Sequence, residues 1–298
     1  MNKLFVLSAC ALATSALLSE AVAQEATLDS VVVTAKRSAR ISTGATGLSM
    51  DVKETPQSIS ILDAETITNF GTTGSNEALR LATGINVEQY ETNRAVFNSR
   101  GFEIQSTQID GLGVINSWGT VVGQQDTYLF DRIELIRGAN GLLTGVGNAS
   151  GTINYVRKRP LNTDTGEVVI SAGSHQAWRT AVDYNKVFTE DGSWAGRVVA
   201  VYEDKDSYLR DLNNRNGTIY AVVDGQIGRD GMLTFGYTHQ DMKQKSPMWG
   251  SLTLNYLDGT MADFSRSSST SQDWTYWNTR SNSAFVEYRH SFSPNWEL

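Results

Sequence analysis

The amino-acid sequence predicts an α+β domain followed by the first strands of a transmembrane antiparallel β-barrel, which is incomplete in this chain. Three observations predict this fold. Residues 51–160 mix short strand patterns, a helical turn and frequent glycine. From Gly166 onward, apolar and polar residues alternate with a period of two in segments of about ten residues. Short and long connectors join these segments, as they do in outer-membrane barrels.

The N-terminus has the pattern of a secretory signal peptide. Lys3 precedes an apolar run over residues 4–18, and Ala21-Val22-Ala23 offers a small-x-small cleavage pattern. We interpret residues 1–23 as a removed signal. Leu7-Ser8-Ala9-Cys10 also resembles the acylation box of bacterial lipoproteins, but that alternative leaves only a short apolar core. No later stretch has the roughly 20 apolar residues of a membrane helix, so any membrane crossing must use strands.

Residues 24–50 are polar and rich in Ser, Thr and Gly, apart from one β-prone island. The island is Leu28-Asp29-Ser30-Val31-Val32-Val33-Thr34-Ala35. It can be the first strand of the following domain or a segment that adds to the sheet edge of a partner. Its place between the signal and a flexible spacer favours the second reading.

The predicted α+β domain covers residues 51–160. Its frequent glycine suits tight turns and close approach of backbone segments. The elements expected in it are a strand at Ile59–Leu62, a helical turn at Glu77–Arg80, and short strands around Gly84–Val87, Thr107–Asp110 and Arg132–Ile136.

Residues 161–298 are predicted to be the N-terminal part of the barrel. In the segment 232–241 an apolar face alternates with a polar face, and we expect the first to meet lipid and the second a lumen. The apolar face holds Leu233, Phe235 and Tyr237, and the polar face holds Thr234, Gly236, Thr238 and Gln240. The segment 177–187 alternates in the same way.

Connector lengths separate the barrel from a soluble β-sandwich, which also shows alternation. Residues 189–193 and 229–231 are tight turns, whereas residues 248–280 are long, polar and aromatic. About six strands and the start of a seventh precede Leu298. Six strands leave two unpaired edges, which a bilayer does not tolerate, so the sequence is expected to be a fragment or a truncated product.

Composition excludes several classes of function. The net charge of −7 and the absence of a basic face argue against a nucleic-acid partner. The single cysteine, Cys10, excludes a disulfide framework and any cysteine-based metal site, and the three histidines are far apart. We find no catalytic Ser/His/Asp or paired-carboxylate pattern with supporting context, so we expect no enzyme, no metal site and no cofactor.

The stretch 131–160 places many glycines between two apolar strand patterns. A phosphate loop is excluded because the stretch ends in neither Gly-Lys-Ser/Thr nor a helix. Glycine also permits positive φ angles and close approach of backbone segments.

Four motifs in order resemble those of the TonB-dependent outer-membrane receptors for ferric siderophores. Residues 28–35 look like a TonB box, and residues 53–60, Lys-Glu-Thr-Pro-Gln-Ser-Ile-Ser, look like the opening of a plug domain. Ser99-Arg100-Gly101-Phe102 with Ile109-Asp110-Gly111 resembles the central strands of a plug, and residues 134–156 resemble its closing motif. The resemblance implies a plug at residues 51–160 that sits inside the barrel. It also implies that the glycines of the closing motif serve close packing against the barrel and positive φ angles, and these are Gly138, Gly141, Gly145, Gly147 and Gly151.

This resemblance implies transport rather than catalysis. The ligand is a ferric siderophore, the location is the Gram-negative outer membrane with its lipid, and the partner is TonB with its ExbB–ExbD inner-membrane motor. A monomer is expected. Residues 137–145, 247–250 and 273–274 are most similar to receptors for ferric hydroxamates of the coprogen and rhodotorulic acid type. A receptor for haem, cobalamin or a glycan, and a passive porin, are the alternatives.

The candidate ligand-binding residues lie in two plug turns and in the long connector, because a saturated iron chelate is read at its periphery by aromatic and hydrogen-bonding groups. They are Tyr90, Asn93, Arg94, Asn116, Trp118, Trp249, Trp274 and Trp277. For each tryptophan, packing in a loop or an aromatic girdle is the alternative. The resemblance further implies plug–barrel contacts at Arg100, Glu134 and Arg137, for which solvated surface charges are the alternative.

Overall fold

The structure is a computed structural model that describes residues 41–42, 44–47, 50–114, 121–122, 124–138, 149–293 and 296–297. The predicted signal peptide and the predicted TonB box at residues 28–35 lie outside the described residues, as do residues 139–148 of the glycine-rich stretch. None of the helices described has the length and the apolar character needed to cross a bilayer.

We call the described part of residues 41–160 the plug, which begins before the predicted boundary at residue 51. It contains two short α-helices, one 3-10 helix (Thr127–Leu129) and eleven short strands. Its helices are α1 (Ala64–Asn69) and α2 (Ser75–Arg80). Its strands are β1 (Ile41–Ser42), β2 (Met50–Asp51), β3 (Ser58–Asp63), β4 (Asn86–Gln89), β5 (Arg94–Ser99), β6 (Phe102–Glu103), β7 (Ser106–Ile109), β8 (Leu112–Val114), β9 (Val121–Val122), β10 (Phe130–Arg137) and β11 (Gly151–Arg157).

A mixed five-stranded sheet forms the centre of the plug, in the order β3-β10-β11-β7-β8. Only β11 and β7 run parallel, and the other neighbours are antiparallel. Ile133, Leu135 and Ile153 on its inner strands are at most 1% exposed and pack with Leu79 of α2. This apolar burial gives the plug a core of its own.

Helix α1 was not among the predicted elements, although its N-terminal signal is present in the sequence. The Asp63 carboxylate accepts a hydrogen bond of 2.8 Å from the backbone N–H of Thr66 and so caps the helix. Ile67 turns its side chain into the core. The cap and the single buried residue suffice for a helix of six residues that packs on β3 and β10.

Two glycines of the closing stretch have the predicted roles. Gly138 has a φ of 100°, in the region that favours glycine. A Cβ atom on Gly151 would lie 2.5 Å from the carbonyl oxygen of Ile136 on the paired strand. Glycine is therefore favoured at position 138 by the backbone conformation and required at position 151 by the close approach of the paired strand.

A seven-stranded antiparallel sheet follows the plug, and we call it the wall. Its strands are β12 (Thr165–Ala172), β13 (Trp178–Val187), β14 (Trp194–Asp206), β15 (Asn213–Ile227), β16 (Gly231–Lys245), β17 (Tyr276–Ser293) and β18 (Trp296–Glu297). Each strand pairs with the next in sequence, and the sheet stays open within the described residues. Six strands of 8 to 18 residues and a seventh of two residues thus make up the described sheet.

The two faces of the wall follow the predicted alternation. On β16, Phe235 and Tyr237 are about half exposed on the outer face, whereas Thr234 and Gln240 are buried on the face toward the plug. On β13, Arg179 and Asp183 are likewise buried. On β13 and β16 the wall therefore presents apolar side chains outward and polar side chains to the plug, whereas β14 and β15 also turn apolar side chains such as Val199 and Val222 toward it.

The connectors differ between the two ends of the wall. Residues 188–193 and 228–230 are tight turns at one end, where Gly192 and Gly228 have positive φ angles. Residues 246–275 form a long connector at the other end. We call the end with this connector the outer end, since long loops are extracellular in such barrels.

Candidate ligand-binding site between plug and wall

A cavity of about 670 Å³ lies between the plug and the outer end of the wall. The plug lines it with the first residues of α2 and with residues 89–93 and 124–126. The wall lines it with the outer ends of β14, β15 and β16 and with part of the long connector. Its volume falls within the range of sites for small molecules, and both polar and aromatic side chains surround it.

The plug reaches the cavity through the turn between β4 and β5. The backbone N–H of Tyr90 donates to the carbonyl of Arg94 at 3.1 Å and closes the turn, in line with the antiparallel pairing of Gln89 with Ala95. Glu91 and Asn93 are buried, whereas Tyr90 is half exposed. The turn thus buries two polar side chains beside the cavity, and its Thr92 hydroxyl lies 3.1 Å from Oε1 of Gln244 on the wall.

Four side chains form what we call the aromatic cage: Tyr90, Arg94, Trp249 and Trp277. The guanidinium carbon of Arg94 lies 4.3 Å from the ring centre of Trp249, 5.8 Å from that of Trp277 and 5.9 Å from that of Tyr90. The two indole rings stack with their centres 5.1 Å apart. These distances are those of cation–π and stacking contacts.

Glu91 fixes the guanidinium of the cage. Its carboxylate accepts hydrogen bonds of 2.6 Å from Nε and 3.0 Å from Nη2 of Arg94, and the Glu91 side chain is only 1% exposed. The hydrogen bond from Arg94 to Glu91 raises the pKa of Arg94, so the guanidinium stays charged. A bidentate pair of this kind sets the plane of the guanidinium, and therefore its orientation against the rings.

The cage leaves aromatic surface open to a ligand. Trp249 is 63% exposed although one part of its ring faces Arg94, and Trp277 and Tyr90 line the cavity. A planar or partly apolar group can pack on these rings, while hydrogen-bonding groups around the cavity can orient it. Within the described ranges, no three His, Cys, Asp or Glu side chains are grouped to hold a metal ion.

Most of the predicted ligand-binding residues that the structure describes lie close together. Tyr90, Arg94, Trp249 and Trp277 form the cage, and Asn93 lines the cavity beside them. Trp274 is 76% exposed, and none of the described ring contacts joins it to the cage. Asn116 and Trp118 lie outside the described residues.

Of the three residues predicted as plug–barrel contacts, Glu134 and Arg137 have hydrogen-bond partners in the plug. Glu134 is fully buried and accepts hydrogen bonds from Ser42 Oγ at 2.7 Å and Asn154 Nδ2 at 3.0 Å. Arg137 donates to Ser60 Oγ and to a backbone carbonyl, while burial and the charge of Arg100 lower its pKa. A contact of Arg100, Glu134 or Arg137 with the barrel stays a prediction.

Other residues make the plug–wall contacts, and they were not predicted from the sequence. Arg179 of β13 binds the carboxylate of Asp126 through both terminal nitrogens, at 2.8 and 2.7 Å, and Asn216 of β15 donates to the same carboxylate at 3.0 Å. Asp126 is 1% exposed and also lines the cavity. This ion pair therefore joins the wall to the floor of the candidate site.

A second group of charges holds the end of the plug. Lys158 Nζ lies 2.8 Å from Asp183 Oδ2, and Arg159 Nη2 lies 2.7 Å from Glu287 Oε2. The hydroxyl of Tyr220 donates to the carbonyl of Lys158 at 3.0 Å. The sequence signal that indicates such plug–wall contacts is the charged residues on the inward face of the alternating strands, because a charge inside a barrel requires a partner.

Comparison with known proteins supports the resemblance noted in the sequence. Residues 51–152 match the family model described as the TonB-dependent receptor plug domain. The ferripyoverdine receptor of Pseudomonas aeruginosa is 34% identical over 256 residues, which are 85% of this chain and 31% of the relative. The ferrioxamine B receptor of Salmonella typhimurium is 26% identical over 93% of this chain and 40% of the relative.

Solved structures give the same result. The ferripyoverdine receptor of the Pseudomonas aeruginosa outer membrane, bound to ferripyoverdine, matches with a TM-score of 0.81 and 32% identity, over 86% of this chain and 35% of that one. The alcaligin outer-membrane receptor of Bordetella pertussis matches with a TM-score of 0.69 and 30% identity, over 87% and 40%.

The chain thus spans about a third of the length of the ferripyoverdine receptor that it matches. The predicted fold and the predicted outer-membrane location are both confirmed by these relatives. Residues 51–152 are a TonB-dependent receptor plug domain, the antiparallel strands after it resemble part of the barrel of such receptors, and receptors named for ferripyoverdine and ferrioxamine B are among the relatives of this chain.

Proposed function

We propose that this chain belongs to a receptor that binds a ferric siderophore at the outer surface and imports it across the outer membrane with energy delivered by TonB. The observation that carries the proposal is the aromatic cage of Tyr90, Arg94, Trp249 and Trp277 beside a cavity of about 670 Å³. The cavity lies between plug and wall, so an occupant touches both.

The chemistry of the cavity suits an iron chelate. The chelator already saturates the metal, so the protein has to recognise only the organic periphery. The cage offers aromatic faces and a fixed guanidinium, and the charges around it include Arg80, Lys205 and Glu203. The named ligands of the relatives, ferripyoverdine and ferrioxamine B, are ferric siderophores and support this class of ligand.

Within this class we propose a hydroxamate-bearing siderophore. The similarity of residues 137–145, 247–250 and 273–274 to receptors of the coprogen and rhodotorulic acid type supports it. Ferripyoverdine is the main competitor, because several of the relatives are named for pyoverdines. Haem, cobalamin and glycans are less favoured, since the pyoverdine and ferrioxamine receptors related to this chain are named for siderophores.

An uptake assay tests the proposed function. A host that lacks the gene for this receptor, with and without the gene restored, is given radioactive iron bound to coprogen, rhodotorulic acid, ferrioxamine B or pyoverdine. We expect the restored gene to support uptake of at least one of them, and only in cells with TonB. Uptake that persists without TonB would indicate a passive pore, and competition by haem or cobalamin instead of siderophores would indicate another class of receptor.

The proposed TonB box gives a second test. Strand addition requires a backbone N–H at each paired position, and proline has none. Val32→Pro should abolish iron uptake while ferric siderophore still binds to whole cells, and Val32→Ala, which keeps the N–H, should retain uptake. Normal uptake by the proline variant would show that residues 28–35 are not the TonB box.

A further inference from the structure

One side chain of the plug makes three contacts with the outer end of the wall. The Thr92 hydroxyl accepts a hydrogen bond from the backbone N–H of Met248 at 3.0 Å. It lies 3.1 Å from Oε1 of Gln244 and 3.3 Å from the carbonyl of Met248, either of which can accept its proton. A hydroxyl has one proton to donate and two lone pairs, so this site uses its donor and one of its acceptor positions.

Gln244 completes the contact from the side of the wall. Its Nε2 donates to the carbonyl of Thr92 at 3.0 Å and to Oδ1 of Asn214 at 2.7 Å. Gln244 is 7% exposed, so these groups would be costly to leave unpaired. The plug turn is therefore held to β16 and β15 by a buried and mutually satisfied network.

The position of this network relates it to the cage. Met248 directly precedes Trp249, and Thr92 lies two residues before Arg94. The contact between Thr92 and Met248 thus joins the two chain segments that carry the cation and the ring, which lie 4.3 Å apart. A cation–π contact depends on the position of the cation over the ring, so a shift of either segment weakens it.

We propose that Thr92 is a positioning residue of the ligand site, which holds the start of the long connector against the plug turn and so sets Trp249 over Arg94. The inference rests on the proposed function, because it assigns a role within the same site. Loss of the hydroxyl leaves the Met248 N–H and the Gln244 amide oxygen without that partner and frees the connector from the plug.

Two variants of similar size separate the hydroxyl from the shape of the side chain. Thr92→Val has nearly the same volume but no hydroxyl, and Thr92→Ser keeps the hydroxyl. Quenching of tryptophan fluorescence by acrylamide is measured in the ligand-free receptor. Each variant is measured with Trp249 present and with Trp249→Phe, and the difference between the two reports the fluorescence of Trp249 alone. We expect Thr92→Val to raise the quenching of Trp249 and Thr92→Ser to leave it unchanged. Unchanged quenching in Thr92→Val would overturn the proposal.

Binding of ferrioxamine B and, separately, of ferripyoverdine provides the second readout, in a double-mutant cycle with Trp249→Ala. Thr92→Val should weaken binding by about tenfold, as expected for the loss of hydrogen bonds at a buried site. In the Trp249→Ala background the same change should cost less than about twofold, because Thr92 acts through that ring. An equal loss in both backgrounds would show that Thr92 merely supports the fold, and would overturn the proposal.

The two proposals fail in different ways. If the wild-type receptor binds neither ferrioxamine B nor ferripyoverdine, or if Trp249→Ala binds them normally, the proposed site for these siderophores fails, while the quenching measurement still decides the role of Thr92. If Trp249→Ala weakens binding but Thr92→Val changes neither binding nor quenching, the proposed site stands and the positioning role of Thr92 is wrong. The amount of each variant in the outer membrane serves as the folding control.

Discussion

The interior of the plug and its boundary with the wall are held together by different chemistry. The interior is apolar, with Ile133, Leu135 and Ile153 almost fully buried on adjacent strands. At the boundary, ion pairs and hydrogen bonds dominate, such as Asp126 with Arg179 and Lys158 with Asp183. A smaller apolar contact extends onto wall residues, which are Ala181, Val199, Val201, Tyr220 and Val222.

This difference shows how a plug can remain folded and yet be separable from its barrel. Water cannot replace the apolar contacts of the interior without a large loss of free energy. Water can replace ion pairs and hydrogen bonds at a much smaller net cost once it reaches them. The cavity also lies at this boundary. An occupant of the cavity therefore lies between the apolar interior of the plug and the polar plug–wall contacts that water can replace.

The largest expected effect comes from the buried ion pair at the boundary. Arg179→Met leaves the carboxylate of Asp126 with Asn216 as its remaining side-chain partner from the wall, at 1% exposure. We expect a loss of about 3 to 5 kcal/mol in the free energy of unfolding, because an uncompensated buried charge remains. Urea unfolding of the receptor in detergent, followed by tryptophan fluorescence, measures it.

The double variant Asp126→Asn with Arg179→Met is the control for this prediction. It removes the charge as well as its partner, so it should be more stable than Arg179→Met alone. If both variants lose the same free energy, the packing of the arginine stem rather than its charge holds the boundary, and the contrast with the interior becomes weaker.

A slightly smaller effect is expected in the interior of the plug. Ile153→Ala removes buried methyl groups from the middle of the central sheet and should cost about 3 kcal/mol. The loss should be the same at low and high salt, since no charge is involved. A salt-dependent loss for Ile153→Ala would contradict the division between an apolar interior and a polar boundary.

The smallest expected effect concerns a neutral hydrogen bond at the boundary. Tyr220→Phe removes the hydroxyl that donates to the carbonyl of Lys158 at 3.0 Å and leaves the ring in the apolar contact. We expect a loss of about 1 kcal/mol, which the same urea titration can resolve. A loss as large as that of Arg179→Met would mean that this single contact, rather than the ion pairs, anchors the end of the plug.

The sequence predicted the fold wherever the pattern is local. Alternation over residues 232–241 correctly assigned Phe235 to the outer face and Gln240 to the inner face. Helix α1 also has a local sequence signal, since the carboxylate of Asp63 caps it by accepting a hydrogen bond from the N–H of Thr66. Helices of six residues have too few apolar positions for periodicity to reveal them.

Contacts between plug and wall could not be predicted in this way. Asp126 and Arg179 are 53 positions apart, and Thr92 and Gln244 are 152 apart, so their pairing depends on how the plug sits against the wall. Residue type alone indicated Arg94, Trp249 and Trp277 as candidates, and the fold brings them together. A barrel contact was also predicted for Glu134, whose partners in the described residues are in the plug.

If the aromatic cage beside the cavity binds the ferric siderophore, two tryptophans of the long connector should differ in their effect on binding. Trp249 belongs to the cage, whereas Trp274 is 76% exposed on the same connector. Equilibrium binding of ferrioxamine B and, separately, of ferripyoverdine to the wild type, Trp249→Ala and Trp274→Ala is the measurement, with outer-membrane amounts matched, and the siderophore that the wild type binds decides. We predict that Trp249→Ala weakens binding by about 30-fold or more, as for an aromatic anchor, and that Trp274→Ala changes it by less than about twofold. Equal effects of the two variants, or none from Trp249→Ala, would contradict the claim.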